Sequence, residues 1–223
     1  MLRICASILP RSIDEARSLI ELAETKSVDM LEIRLDRLHI RALATIKASI
    51  PLVATCRAQR EGGSFLGSEK DRMAILKRAA EFGFQYVDIE LGMDEAPALA
   101  EEIHKLGCKL IVSHHELEGT PQSEAILEIH RRELKLKPEI CKIVTYAHTY
   151  EDNLILLDVV SKLSRSSKIV CFGMGEKGRI SRIFSPVFGG YFTMAALIKN
   201  RATAPGQVTV DELIEAWQIL GLA

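Results

Sequence analysis

The chain has 223 residues, 48% of them hydrophobic and 26% charged, with a formal net charge of −1. That length suits one large domain or two small ones, and the near-neutral balance gives no basic field for nucleic acid or anionic lipid. No apolar run reaches membrane-spanning length, no signal peptide precedes the first strand pattern, and no linker or low-complexity stretch divides the chain. The expectation is a single cytoplasmic domain over residues 1–223.

From the N-terminus, short β-rich runs alternate with longer helical patterns. RICASIL is followed by SIDEARSLIELAETK, in which Ser12 and Glu15 have the spacing of a capping box. MLEIRLD comes next, and Glu32, Arg34 and Asp36 alternate there with Leu31, Ile33 and Leu35. A strand turns alternate residues to opposite faces, so this one has an oily face and a charged face. LVATCR leads to EKDRMAILKRAAEFG, and QYVDIEL to DEAPALAEEIHKLG, with Gly83 and Gly107 as helix stops. KLIVSHH and ICKIVTY each precede an amphipathic pattern, SEAILEIHRRELKLK and YEDNLILLDVVSKLS. KIVCFG, YFTMAA and a last helix, DELIEAWQIL, complete the series. The helices after the second and seventh strands are indistinct. Cys5, Cys56, Cys108, Cys141 and Cys171 form no CxxC pair and fall in apolar runs, which predicts reduced, buried thiols.

Eight strands, each followed by a helical stretch, predict a (β/α)8 TIM barrel, with a doubly wound open sheet as the alternative. The barrel is preferred because polar residues gather near the C-terminal ends of several strands, where barrel active sites are assembled. Ser7, Glu32, Arg34, Arg57, Asp88, Glu90 and His115 stand there, with Arg182 in the loop after the seventh strand. Singly, each is accounted for as a solvated rim residue. Together they predict a site for a polar, anionic small molecule.

Lys142 lies in mid-strand between Cys141 and Ile143. Either it snorkels to the barrel mouth, or its pKa is lowered by desolvation and nearby guanidinium groups, so that the amine can form an imine with a carbonyl. The second is the preferred expectation. His114 and His115 point to opposite faces of their strand, so one turns inward as an acid/base candidate; they are not a metal-binding pair, and no other spacing reads as a metal motif. GMGEKG, residues 173–178, matches GxGxxG but follows the seventh strand and lacks the acidic ribose partner. A flexible mouth loop is expected instead.

With these residues the sequence resembles the type I 3-dehydroquinate dehydratases. The resemblance covers essentially the whole chain through EIRLD (32–36), TCRAQREGG (55–63), SHHE (113–116), CKIV (141–144), MGEKGRISR (174–182) and APGQ (204–207). It implies a (β/α)8 barrel that converts 3-dehydroquinate to 3-dehydroshikimate without metal or cofactor, and a homodimer. By position, Lys142 would form the imine, His115 would act as general base and then acid, and Glu61 would orient His115. Glu32, Arg34 and Arg57 would hold ring hydroxyls and Arg182 the carboxylate, while Ser7, Thr203 and Gln207 would also contact the substrate. Asp36 would support the rim. The chain departs from the family pattern at Thr203, usually Ser; at Glu116, more often Asp; and after Arg182, where IFSP lacks a common glycine. The N-terminal hairpin that plugs some relatives' barrels is also expected to be absent. A class I aldolase would share the lysine imine but leave the His115/Glu61 pairing and the APGQ loop without a role. A catalytically silent barrel would be marked by loss of Lys142 or His115, and both are present.

Overall fold

The computed structural model describes residues 2–222, apart from the side chains of residues 41 and 42. Eight parallel strands run β1 (Ile4–Ile8), β2 (Met30–Arg34), β3 (Leu52–Thr55), β4 (Tyr86–Glu90), β5 (Lys109–Glu116), β6 (Ile140–Tyr146), β7 (Ile169–Met174) and β8 (Thr193–Ala196). Their order in the sheet is β7-β6-β5-β4-β3-β2-β1-β8, which wraps them into a (β/α)8 barrel. Between β7 and β8 no ladder forms among the described residues. There the backbone N–H of Tyr191 donates to the Ile169 carbonyl at 2.7 Å, bridging the seam.

The outer layer is made of α1 (Ile13–Glu24), α2 (Glu69–Glu81), α3 (Ala96–Lys105), α4 (Ser123–Leu134), α5 (Asp152–Leu163), α6 (Arg179–Phe184) and α7 (Val210–Ile219). After β2 the chain makes only a 3-10 turn, Ile40–Thr45, and α6 after β7 is short. These are the two crossings whose helical pattern is faint in the sequence.

Caps fix the helix starts. Ser68 with Asp71, and Thr209 with Glu212, form complete capping boxes. At α1 the box is half made: Ser12 Oγ accepts from the Glu15 N–H, but the Glu15 carboxylate accepts from the Arg11 N–H instead. Gly83 and Gly107 stop α2 and α3 at φ 92° and 72°, a region glycine enters without steric cost.

Alternation along the strands divides the interior in two. Outward residues such as Leu31, Ile33, Val87, Ile89 and Val112 pack against the helices, where Leu76, Leu99 and Ile103 are also fully buried. Each such side chain contributes about 1.5–3 kcal/mol through burial. Inward residues fill the lower barrel with Cys5, Met30, Val53, Ile111, Ile140 and Val170. At the N-terminal face, Arg3 and Lys168 stand over the Tyr191 ring and Lys109 over the Tyr86 ring. One pleat above the apolar layer, the same inward phase carries Ser7, Glu32, Asp88, Ser113 and Lys142, so the strand period itself assembles a charged layer inside the barrel.

Candidate active site

Lys142 is 3% exposed and projects from β6 into this layer. Its Nζ donates to Asp88 Oδ2 at 2.9 Å and to Glu32 Oε1 at 3.4 Å. Burial alone favours the neutral amine, but Asp88 and Glu32 outweigh it and raise the lysine pKa. The expectation of a lowered pKa is therefore corrected for the ligand-free state: desolvation and Arg57 act in that direction, and two carboxylates reaching across the barrel from β2 and β4 reverse the balance. Asp88 is the tighter partner. Its carboxyl resists burial through Arg57 and Lys142 and stays low, at about 2.

Arg57 is the hub of the network. Its Nη2 donates to Asp88 Oδ1 at 2.8 Å, and its Nη1 to Ser113 Oγ at 2.9 Å and Glu61 Oε2 at 3.2 Å. Ser113 Oγ donates in turn to Asp88 Oδ1 at 2.6 Å. Both terminal nitrogens of Arg57 are thus committed to the protein, although its side chain lines the cavity. Arg34 pairs with Asp36 through Nε at 3.1 Å and Nη2 at 2.6 Å, and Asp36 also accepts from the Arg57 and Ser64 backbone N–H groups. Asp36 is a brace for the rim. Glu90 faces away from the cavity toward Arg72, Arg60 and the Ala58 N–H.

His115, near the end of β5, faces the cavity and presents Nδ1 to Glu61 Oε2 at 2.8 Å. Burial and the positive charges of Arg57 and Lys142 push its pKa well below the ordinary imidazole value. Burial also pushes the Glu61 carboxyl up to about 7, against the opposing pull of Arg57. In its deprotonated form the pair holds Nδ1 toward the carboxylate and leaves Nε2 free as a base.

Arg182 lies on α6, not in a loop, and is 1% exposed. Its Nη1 donates to the Met194 carbonyl at 3.2 Å and its guanidinium carbon sits 4.3 Å from the centre of the Phe172 ring. Nε and Nη2 have no partner, and burial alone lowers its pKa to about 9. A buried guanidinium with two unused donors and no counter-ion has the geometry and charge to accept a carboxylate.

GMGEKG is a braced turn rather than a flexible loop. Asn153 Nδ2 donates to the Lys177 carbonyl, Lys177 Nζ donates to the His148 carbonyl, and the Gly175 N–H donates to the Pro205 carbonyl at 3.1 Å. A Cβ on Gly178 would lie 2.5 Å from Gly173, so the glycines let the turn fold tightly enough to start α6 beneath the rim. Across from it, the segment around Thr203 to Gln207 crosses the barrel mouth. Thr203 Oγ1 donates to Ser7 Oγ at 2.7 Å, Ser7 Oγ donates to Glu32 Oε2, and the Thr203 N–H donates to Gln207 Oε1 at 2.8 Å. One chain of hydrogen bonds therefore runs from the mouth segment through Ser7 and Glu32 to Lys142.

Glu32, Arg34, Arg57, His115, Lys142, Arg182, Thr203 and Gln207 all line one cavity of about 40 Å³, with Phe172, Met174 and Met194 as its apolar wall. Ser7 and Glu61 stand behind Glu32 and His115 as hydrogen-bond partners. Asp88 and Ser113 carry no role in the sequence reading beyond Asp88's place near a strand end, yet they join Lys142 to Arg57. Alternation was the available signal, because Asp88 and Ser113 share the inward phase of their strands.

A family model described as Type I 3-dehydroquinase matches residues 4–223. The 3-dehydroquinate dehydratase of Methanocaldococcus jannaschii is 35% identical over 225 residues, covering 98% of this chain and 99% of that protein. A structure of type I 3-dehydroquinate dehydratase from Clostridium difficile with covalently modified comenic acid superposes with TM-score 0.90 and 25% identity, covering 98% of this chain and 92% of that one. The 3-dehydroquinate dehydratase of Geobacillus kaustophilus gives TM-score 0.89 and 26% identity, covering 99% and 91%.

Proposed function

This chain belongs to the type I 3-dehydroquinase family of hydro-lyases, and from that premise we propose that it dehydrates 3-dehydroquinate to 3-dehydroshikimate through an imine on Lys142. The observation that carries the reading is the convergence, on one cavity, of a buried lysine amine, an imidazole and an arginine with two unused donors. Amine, base and carboxylate receptor are the three groups the chemistry needs.

The substrate carboxylate pairs with Arg182, which fixes the ring against the Phe172 wall. Substrate entry displaces Lys142 from its carboxylate partners, the ammonium releases its proton to water, and its lone pair attacks the ketone carbon. Loss of water from the carbinolamine leaves a protonated imine, which withdraws electrons from the neighbouring C–H. His115 Nε2 removes that proton and an enamine forms. The enamine re-forms the imine as it expels the β-hydroxyl, which takes the proton from His115 and leaves as water. A second water hydrolyses the imine, releasing the product ketone and free Lys142. One water is lost overall. Glu61 fixes the imidazole tautomer; Glu32, Arg34 and Arg57 contact ring hydroxyls; Ser7, Thr203 and Gln207 hold the mouth closed over the ring.

The same reading includes a cytoplasmic enzyme, supported by five buried free thiols, and a homodimer. Exposed apolar side chains on α5, α6 and the following turn, among them Leu154, Ile180 and Phe188, supply contact surface for the dimer. Incubation with 3-dehydroquinate, borohydride reduction and peptide mass spectrometry tests the mechanism. The expected result is a reduced adduct on Lys142 that is absent in Lys142→Ala. Folded wild-type protein that turns over substrate but yields no adduct would overturn the imine.

A further inference from the structure

A second cavity, of about 170 Å³, opens beside the catalytic one at the C-terminal face of the barrel. Its walls come from three connections: Arg11 after β1, Arg37 after β2, and Asn200 and Arg201 after β8. Leu19 and Leu197 form an apolar floor, and Ser7 separates this cavity from the catalytic one.

The charges here are not balanced. Glu15 accepts from the Arg11 backbone N–H and from Arg201 Nη2. That leaves the Arg11 guanidinium with no hydrogen bond or salt bridge among the described residues, and Arg37 with only the Ser64 hydroxyl at 3.3 Å. Three guanidinium groups against one carboxylate leave an excess of two positive charges around a space several waters in size. Nothing in the catalytic reading uses these residues.

We infer that this cavity binds a small dianion, a phosphate group either free or carried on a short organic chain. Arginine suits such a ligand because its planar donors match two oxygens of a tetrahedral oxyanion at once. The apolar floor leaves room for a short substituent. The ligand would also tie together the three connections that carry Arg11, Arg37 and Arg201. The last of these runs directly into Thr203, whose hydroxyl closes the catalytic mouth on Ser7. Occupancy therefore favours the closed mouth, and by linkage a closed mouth binds the anion more tightly. The inference stands apart from the imine chemistry and does not need it.

The test is calorimetric titration with inorganic phosphate, and in parallel with glycerol phosphate, at ionic strength held constant with chloride. Arg182 is a rival anion receptor, so the variants must separate the two cavities. Wild type and Arg182→Met are expected to titrate alike, and the double variant Arg11→Gln/Arg37→Gln to bind at least tenfold more weakly while keeping its basal turnover. Tighter binding of glycerol phosphate than of phosphate identifies a carried phosphate, and the reverse order the free ion. Should Arg182→Met fail to fold, protein whose catalytic cavity is filled with reduced substrate adduct serves the same purpose. In hydrogen exchange, phosphate is expected to slow the amides of 200–207. The inference is overturned by an absence of saturable binding, by binding unchanged in the double variant, or by binding that vanishes when Arg182 is replaced or the catalytic cavity filled.

Discussion

Replacing Arg182 with Met should separate stability from activity. Burial lowers the arginine pKa to about 9, against an ordinary value above 12, which corresponds to about 5 kcal/mol of uncompensated desolvation. The Phe172 ring offsets about 2 kcal/mol of this through its π face, and the bond to the Met194 carbonyl another 2 or so. About 1 kcal/mol remains against the native state. Methionine fills much of the same volume with no charge to desolvate, so Arg182→Met should unfold at higher urea concentration and melt about 2–4 °C higher. Substrate binding should suffer in the opposite sense. Truncating one partner of a buried charge pair costs about 2–5 kcal/mol, hence a fall in kcat/KM of between thirty- and several thousand-fold. Urea titration and steady-state kinetics on the same preparation read both effects. A variant less stable than wild type, or one that keeps its kcat/KM, would refute the account of Arg182 as a strained, waiting carboxylate receptor.

Three further outcomes are expected. In Glu61→Gln the loss of a negative charge beside His115 should make the imidazole harder to protonate, and the carboxyl titrating at about 7 disappears. The acid limb of kcat/KM should then move to lower pH, with activity reduced about 10–100-fold; an unmoved limb would contradict the pairing. Glu133 on α4 is fully buried with no charged partner among the described residues, and burial raises its pKa well above the carboxylate range despite the neighbouring Cys141 thiol and Lys142 backbone. The folded state therefore holds a proton that the unfolded state releases, so stability falls as pH rises above the ordinary carboxylate value. Glu133→Met should stabilise the protein by about 1–3 kcal/mol at pH 7, with a gain over wild type that grows as pH rises from about 4 to about 8 in urea titrations; a gain that does not grow with pH would exclude it. In Gly206→Ala, a Cβ would lie 2.1 Å from the Gly175 carbonyl at a residue with φ 77°. The left-handed backbone alone costs about 1–2 kcal/mol, which should lower the melting temperature by about 2–8 °C, and KM should rise roughly ten-fold. Unchanged KM would mean that the mouth does not need the Gly175–Gly206 contact.

The barrel was legible because its strands are short apolar runs with charge at alternate positions near their C-terminal ends, and because Gly83 and Gly107 mark real helix stops. The crossing after β2 was not, since residues 39–48 carry no sustained helical period and only Ile40–Thr45 fold as a 3-10 turn. Which residues face the cavity follows from the alternation in β2, β5 and β6, whereas in β4 the phase that turns Asp88 inward also carries Glu90, which bends away to Arg72 and Arg60. The sign of the Lys142 shift does not. It depends on Asp88 and Glu32 reaching the same height in the barrel from two other strands, and strand stagger is invisible to one strand's pattern. Glu133 could have been found: it continues the core-facing spacing of Ile126 and His130 on α4. A carboxylate on the buried face of an amphipathic helix is an anomaly by period alone. The two open donors of Arg182 could not have been found, because only packing reveals what a guanidinium lacks.

The seam between β7 and β8 bears on how the chain comes together as it is synthesised. β8 adds to the far side of β1 through the Ile4↔Thr193 to Ser7↔Ala196 register, so the barrel's first strand waits for its last. Until residues 193–196 emerge, β1 presents an unpaired edge, the kind of surface that recruits other strands or a chaperone. The same late segment carries Thr203 and Gln207 to the mouth. Sealing of the sheet and completion of the pocket are therefore one event in the life of the nascent chain, and a ribosome stalled before that point holds a curved sheet with an open flank rather than a partly active enzyme.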